Sequence, residues 1–161
     1  MATVHPNLTK LQWLIGTFKG KGNGIYPTIK PFTYQETIEF TSNGKPFLFY
    51  VQKTLGENGL PLHAESGYLR CPPNGIPELI ISQPTGIADI YSGEITDNNT
   101  TLTFKLKSIQ RTDSAKAPHT TDLLRIFKFD NSTNTLTCLL DMATETTPQL
   151  TRHLESHLVK Q

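Results

Sequence analysis

The sequence predicts an all-β fold: a single ten-stranded antiparallel up-and-down β-barrel. Three observations carry that expectation. The composition is rich in Thr, Asn, Gly and Pro, with 11 Gly and 11 Pro in 161 residues, and that works against long helices. Apolar and polar residues alternate with period two over many short runs, the mark of half-buried strands. Turn signals separate these runs at short, regular spacing, so consecutive strands are neighbours joined by hairpins. Closing such a meander into a barrel also removes its exposed edges.

The first strand is placed at 12–21, where Gly16, Gly20 and Gly22 read as relief for a bend or a close backbone approach. Residues 33–41 put Tyr34, Ile38 and Phe40 on one parity and Thr33, Gln35, Thr37, Glu39 and Thr41 on the other. Ser42-Asn43-Gly44-Lys45 is a hairpin turn. The partner strand 47–54 has Phe47, Phe49 and Val51 on one face. Glu57-Asn58-Gly59 leads into 61–70, Pro72-Pro73-Asn74-Gly75 into 77–83, and Pro84-Thr85-Gly86 into 87–95. Asp97-Asn98-Asn99 turns into 100–108, with Leu102, Phe104 and Leu106 facing inward. An irregular loop fills 111–119, and strands at 121–129 and 135–143 flank the turn 130–134. The last element is 150–159. No repeat or linker divides the chain, so 1–161 is read as one domain, and Met1 suggests a complete small protein.

That last element has two readings. As a helix, Leu150, Leu154 and Leu158 form a stripe, and His153 and His157 lie one turn apart, a spacing that can chelate zinc. Glu155 is misplaced for the H-E-x-x-H pattern, and no third ligand cluster accompanies the pair. As a strand, His153, Glu155 and His157 share one parity, and both histidines read as surface residues.

Several function classes lack support. A net charge of +1 gives no electrostatic footprint for nucleic acid and no polybasic membrane anchor. No apolar run approaches the roughly 20 residues of a membrane span, and the first residues lack the pattern of a secretory signal. Two cysteines, Cys71 and Cys138, are too few for a disulfide framework and read as free thiols in a reducing, cytoplasmic setting. There is no G-x-S-x-G elbow and no P-loop, and the glycines at 16–22 lack dinucleotide-binding spacing. Arg70 beside Cys71 is weak ground for a reactive thiol. His63 and Glu65 share a strand face, which by itself is not catalysis.

Stretches along nearly the whole chain resemble one family. Leu11-Gln12-Trp13-Leu14-Ile15-Gly16-Thr17-Phe18-Lys19-Gly20-Lys21-Gly22, followed by Tyr26-Pro27-Thr28, is similar to the G-x-W-x-G-x-G and Tyr-Pro-Thr signatures of the nitrobindins. The match continues through Gly44-Lys45-Pro46-Phe47-Leu48, residues 61–70, Gln83-Pro84-Thr85-Gly86, Ala115-Lys116-Ala117-Pro118-His119, Met142-Ala143-Thr144 and Leu150-Thr151-Arg152-His153-Leu154. Phe18 stands where the signature has Trp, which keeps a large aromatic but loses an indole N–H.

The resemblance implies a ten-stranded barrel binding one ferric haem b, with isomerisation of peroxynitrite to nitrate and binding of nitric oxide. It implies His153 as the proximal iron ligand, on a strand rather than a helix. It further implies Thr28 near the haem, Lys116 as a loop contact to the cofactor, and Leu62, His63 and Met142 as pocket-lining residues. No catalytic side chain beyond the iron is implied. A barrel of this size also suits a lipid-binding protein, and a haem-based nitric oxide sensor would share the same residues.

Overall fold

A computed structural model describes residues 4–161. It contains a short 3₁₀ helix, Pro6–Leu14, and ten strands: β1 Gly16–Tyr26, β2 Ile29–Ser42, β3 Phe47–Gly56, β4 Pro61–Arg70, β5 Glu78–Gln83, β6 Ile87–Thr96, β7 Thr101–Arg111, β8 Thr120–Asp130, β9 Thr135–Thr144 and β10 Thr151–Lys160. Every strand pairs antiparallel with its sequence neighbour, and β10 pairs with β1, so the sheet closes into the expected barrel.

One predicted element shifts. The segment 12–21 is not a single strand, because the chain is helical through Leu14 and β1 starts at Gly16. Pro6 stands in the first turn and the His5 side chain accepts a hydrogen bond from the Asn7 N–H, which starts the helix. Leu8, Leu11 and Leu14 recur every third residue, a spacing that a 3₁₀ helix turns into one face, and all three are fully buried. Burial of each contributes about 1.5–3 kcal/mol.

The helix closes one end of the barrel. Its Asn7 amide donates to the Cys71 carbonyl (2.9 Å), Trp13 stacks on Phe129, and the Lys160 ammonium donates to the Trp13 carbonyl (2.8 Å). Phe18 is fully buried at this end, with the Lys160 ammonium 5.4 Å from its ring centre and Phe129 against its edge. The tryptophan-to-phenylalanine departure therefore lies in the packed plug. Phe40, Leu48, Leu69, Leu79, Phe104 and Leu136 extend the core above it.

The other end is open. An up-and-down meander places its odd-to-even connections at one end, here 27–28, 57–60, 84–86, 112–119 and 145–150. On β3 the inward parity is Leu48, Tyr50, Gln52 and Thr54, so Phe49 and Val51 lie on the outside. Midway along the barrel the interior is polar, and Gln52 and Thr54 of β3 face it, which is why the strand's inward parity is not its uniformly apolar one. Glycines on β1 make room for inward rings from β2: a Cβ on Gly22 would stand 2.2 Å from Tyr34, and one on Gly24 2.1 Å from Phe32.

Gly24→Ala is expected to displace the Phe32 ring and lower stability by about 1–3 kcal/mol, as overpacking does. Urea denaturation measures the loss.

Candidate functional site

Inside the open end lies a cavity of about 220 Å³. Its walls are largely apolar, formed by Phe32, Ile87, Ile109, Leu123, Leu140, Met142 and Leu154. Two histidines, His63 and His153, face into it. Gln52, Glu65 and Arg125 form part of its polar lining.

His153 reaches the cavity through an irregularity of β10. Arg152 pairs with Asp141 and Leu154 with the next residue, Leu140, so His153 is an extra residue opposite a single step of β9. Such a bulge bends the strand and re-aims a side chain. Beyond it the ordinary alternation holds: Ser156 and Leu158 are buried, while His157 and Val159 are exposed. Strand parity groups His153 with Glu155 and His157 on the outer surface. The bulge separates them, and both His153 and Leu154 line the cavity.

The imidazole is held in one orientation. Its Nδ1 donates to the Ile25 carbonyl at 3.0 Å, which leaves Nε2 with a free lone pair. Tyr26 and Phe32 flank the ring at 5.3 and 6.5 Å between centroids. Burial lowers the His153 pKa below the ordinary imidazole range, the Ile25 hydrogen bond partly opposes this, and His63 adds to the lowering. The neutral, ligating form is thereby favoured.

Below the histidines runs a buried polar chain. His63 Nε2 donates to Glu65 at 3.1 Å, and Arg125 holds the same carboxylate with two N–H groups at 2.6 and 3.1 Å. Tyr50 donates to Glu65 at 2.7 Å, and Arg125 Nε donates to the Tyr91 oxygen at 3.0 Å. Tyr91 and Gln83 both donate to Asp89, at 3.1 and 2.7 Å. On the other side, Gln52 and Ser156 donate to Glu36. Burial would raise the Glu65 carboxyl, but the Arg125 guanidinium and His63 outweigh it and hold the pKa well below the usual carboxylate range. Glu36 and Asp89 lack such a partner at contact distance, and burial raises both.

The structure brings His63, Met142 and His153 together around the cavity. Thr28 and Lys116 are exposed in the 27–28 turn and the 112–119 loop, both at the open end but outside the cavity lining. The loop carrying Lys116 is tied across the rim: the His119 N–H donates to the Glu145 carboxylate (3.2 Å), and the Glu145 N–H returns to the His119 carbonyl (3.0 Å). Leu62 is exposed and lines an outer groove beside the rim together with Ile25 and Asn58. Sequence reasoning missed Phe32, Gln52, Arg125 and the charge on Glu65 as interior features. The available signal was Arg125 set within the apolar run Leu123-Leu124-Arg125-Ile126-Phe127, at inward parity. Among the described residues, no group of three or more His, Cys, Asp or Glu side chains could hold a metal, so a two-histidine zinc site gains no further ligands. The Cys71 thiol is pushed up to about 11 by burial and is no nucleophile at neutral pH.

Removing one partner of the central pair leaves a buried charge. Arg125→Met is expected to cost about 3–5 kcal/mol, and Arg125→Met with Glu65→Gln less than the sum of the two single changes. The pH dependence follows from the depressed Glu65 pKa. Its contribution is full above the ordinary carboxylate pKa of about 4.3 and is lost as pH falls toward the lower folded value. Below about pH 4 the stability of the native chain should therefore fall with acid more steeply than that of Arg125→Met. Urea denaturation across pH checks both.

Comparison with known proteins gives the barrel a family. A family model described as a THAP4-like, heme-binding beta-barrel domain matches residues 7–160. The protein named peroxynitrite isomerase 1 of Mycolicibacterium paratuberculosis is 45% identical over 130 residues, 79% of this chain and 80% of that one. An Arabidopsis thaliana protein named peroxynitrite isomerase Rv2717c is 40% identical over 158 residues, covering 98% and 90%. The crystal structure of Rv2717c from M. tuberculosis superposes with a TM-score of 0.89 at 36% identity, covering 99% of each chain. With a bulged, tautomer-fixed histidine at an apolar barrel mouth and a family match over almost its whole length, this chain belongs to the THAP4-like heme-binding β-barrel family, the nitrobindin type.

Proposed function

We propose that the chain binds one ferric haem b through His153 and isomerises peroxynitrite to nitrate. The observation that carries this is the hydrogen bond from His153 Nδ1 to the Ile25 carbonyl, which leaves Nε2 free on an apolar cavity. A carbonyl partner on the remote nitrogen is the usual way a protein fixes the tautomer of a metal-binding histidine. When bound, ferric haem would supply a Lewis acid for the peroxide oxygen.

The residues fit such a group. Leu123, Leu140, Met142 and Leu154 offer apolar contact for a porphyrin face. Lys116 at the rim carries a charge suited to a propionate, and Thr28 and Leu62 complete the rim around the cofactor. With His153 as the single protein ligand, a bound haem would keep capacity for a small molecule, which supports nitric oxide binding as well. His63, anchored by Glu65, presents a polar group to a cavity whose walls are largely apolar. Converting peroxynitrite to nitrate moves no net proton or electron, so the chain needs no general acid or base. Its task is to hold the iron, exclude bulk water and keep one side open.

A lipid-binding barrel is the weaker reading. The Glu65–Arg125 ion pair on the cavity floor would have to face an acyl chain. Two unpaired cysteines support a reducing, cytoplasmic setting for the protein.

Hemin titration is expected to give a Soret band at one equivalent, and the loaded protein should accelerate peroxynitrite decay to nitrate above the rate of free hemin. His153→Ala should lose the imidazole-ligated spectrum; an unchanged spectrum and rate would reject the assignment. Because burial lowers the His153 pKa, acid should displace the ligand only below the ordinary imidazole value of about 6.5. A spectrophotometric pH titration reads that midpoint.

A further inference from the structure

We propose that Tyr26 is the positioning residue for His153, holding the imidazole in its ligating tautomer through a hydroxyl that ties β1 to β9 across the bulge of β10. The inference rests on His153 being the iron ligand.

Tyr26 is buried at the end of β1, on the inward parity with Gly22 and Gly24. The strand order β1-β10-β9 places one whole strand between it and β9. Its hydroxyl nevertheless donates to the Met142 carbonyl on β9 at 2.9 Å. The side chain therefore straddles β10 at the level of the bulge, and its ring stands 5.3 Å from the His153 ring at an interplanar angle of 67°.

The tie acts on the imidazole through the backbone. The carbonyl that accepts from His153 Nδ1 belongs to Ile25, so it lies in the Ile25–Tyr26 peptide plane. A peptide is planar, so the direction of its carbonyl is the rotation of that plane about the line joining its two Cα atoms, and anchoring Tyr26 limits that rotation. At this point β1 is irregular: Gly24 pairs with Phe32 and Tyr26 with Ile29, so two steps of β1 face three of β2. The regular β1–β10 pairing ends at Gly24–Leu154. On the β10 side, therefore, no regular pairing reaches Ile25 or Tyr26, and on the β2 side Tyr26 is paired with Ile29 only beyond the irregularity, with Ile25 skipped. The Tyr26 hydroxyl adds the restraint that is lacking on the β10 side, by anchoring Tyr26 to β9, and the edge-on ring limits rotation of the imidazole.

The test uses Tyr26→Phe, which removes the hydroxyl and keeps the ring. The first readout needs no cofactor: ¹⁵N NMR of the histidine ring nitrogens in the apo chain. In the native protein His153 should show the Nδ1–H tautomer alone. In Tyr26→Phe it should show a mixture of tautomers, while His157, exposed on the outer face of the same strand, stays unchanged as an internal control. The second readout is hemin affinity, expected to fall about tenfold, the low end for loss of a group that orients a metal-binding histidine. The iron–histidine stretching band of the ferrous protein should also broaden.

An unchanged His153 spectrum in Tyr26→Phe overturns the proposal. So does a parallel change at His157, or failure of the variant to fold, since either shows the hydroxyl acting on the barrel as a whole. His153→Ala run alongside separates the two levels. If it keeps an imidazole-ligated spectrum, the ligand assignment itself fails. If it loses that spectrum while Tyr26→Phe matches the native chain, only the role of Tyr26 fails.

Discussion

The pairing of β10 between β1 and β9 is the constraint on which the rest of the structure depends. It closes the sheet, so all ten strands are paired on both sides and the interior is sealed from the edges. It also carries one residue too many opposite β9, and that residue is His153. A regular strand would send this side chain outward with Glu155 and His157. The same ladder that makes the barrel thus turns this histidine inward, by failing at one step.

The interior is stacked in layers with different jobs. The helix leucines and Phe18 form a dry plug at the closed end. Above it lies a belt of buried polar groups centred on Glu65 and Arg125, with both charges satisfied by several hydrogen bonds. Over that belt the walls turn apolar again around the cavity. Such a belt gives little net stability, since desolvation offsets most of the attraction. Its effect is geometric: it fixes the depth of the cavity and orients His63 from below.

Much of the barrel was legible because hairpin barrels are local objects. Period-two runs and turns rich in Asn, Gly and Pro placed eight strands close to their observed bounds, and the resemblance settled the last element as a ninth. The first failed because Leu8, Leu11 and Leu14 repeat at three, a signal too short to outweigh the neighbouring glycines until a barrel end is present for them to fill. The site was legible only in part. His153, His63 and Met142 stood out through resemblance to a family, and they meet at one cavity. Thr28, Lys116 and Leu62 came from the same resemblance, and the fold places them at the rim rather than within the lining.

By itself, the sequence determined the strand count, the antiparallel order and the family, since each rests on contacts between neighbours in the chain or on motifs read in order. Tertiary structure alone decided which way His153 points and which of its nitrogens is free. A bulge is a mismatch between two strands, and residues 141, 152 and 154 reveal it only once they are paired. The Ile25 carbonyl lies 128 residues from the ring that it orients, and no periodicity within either strand records that meeting.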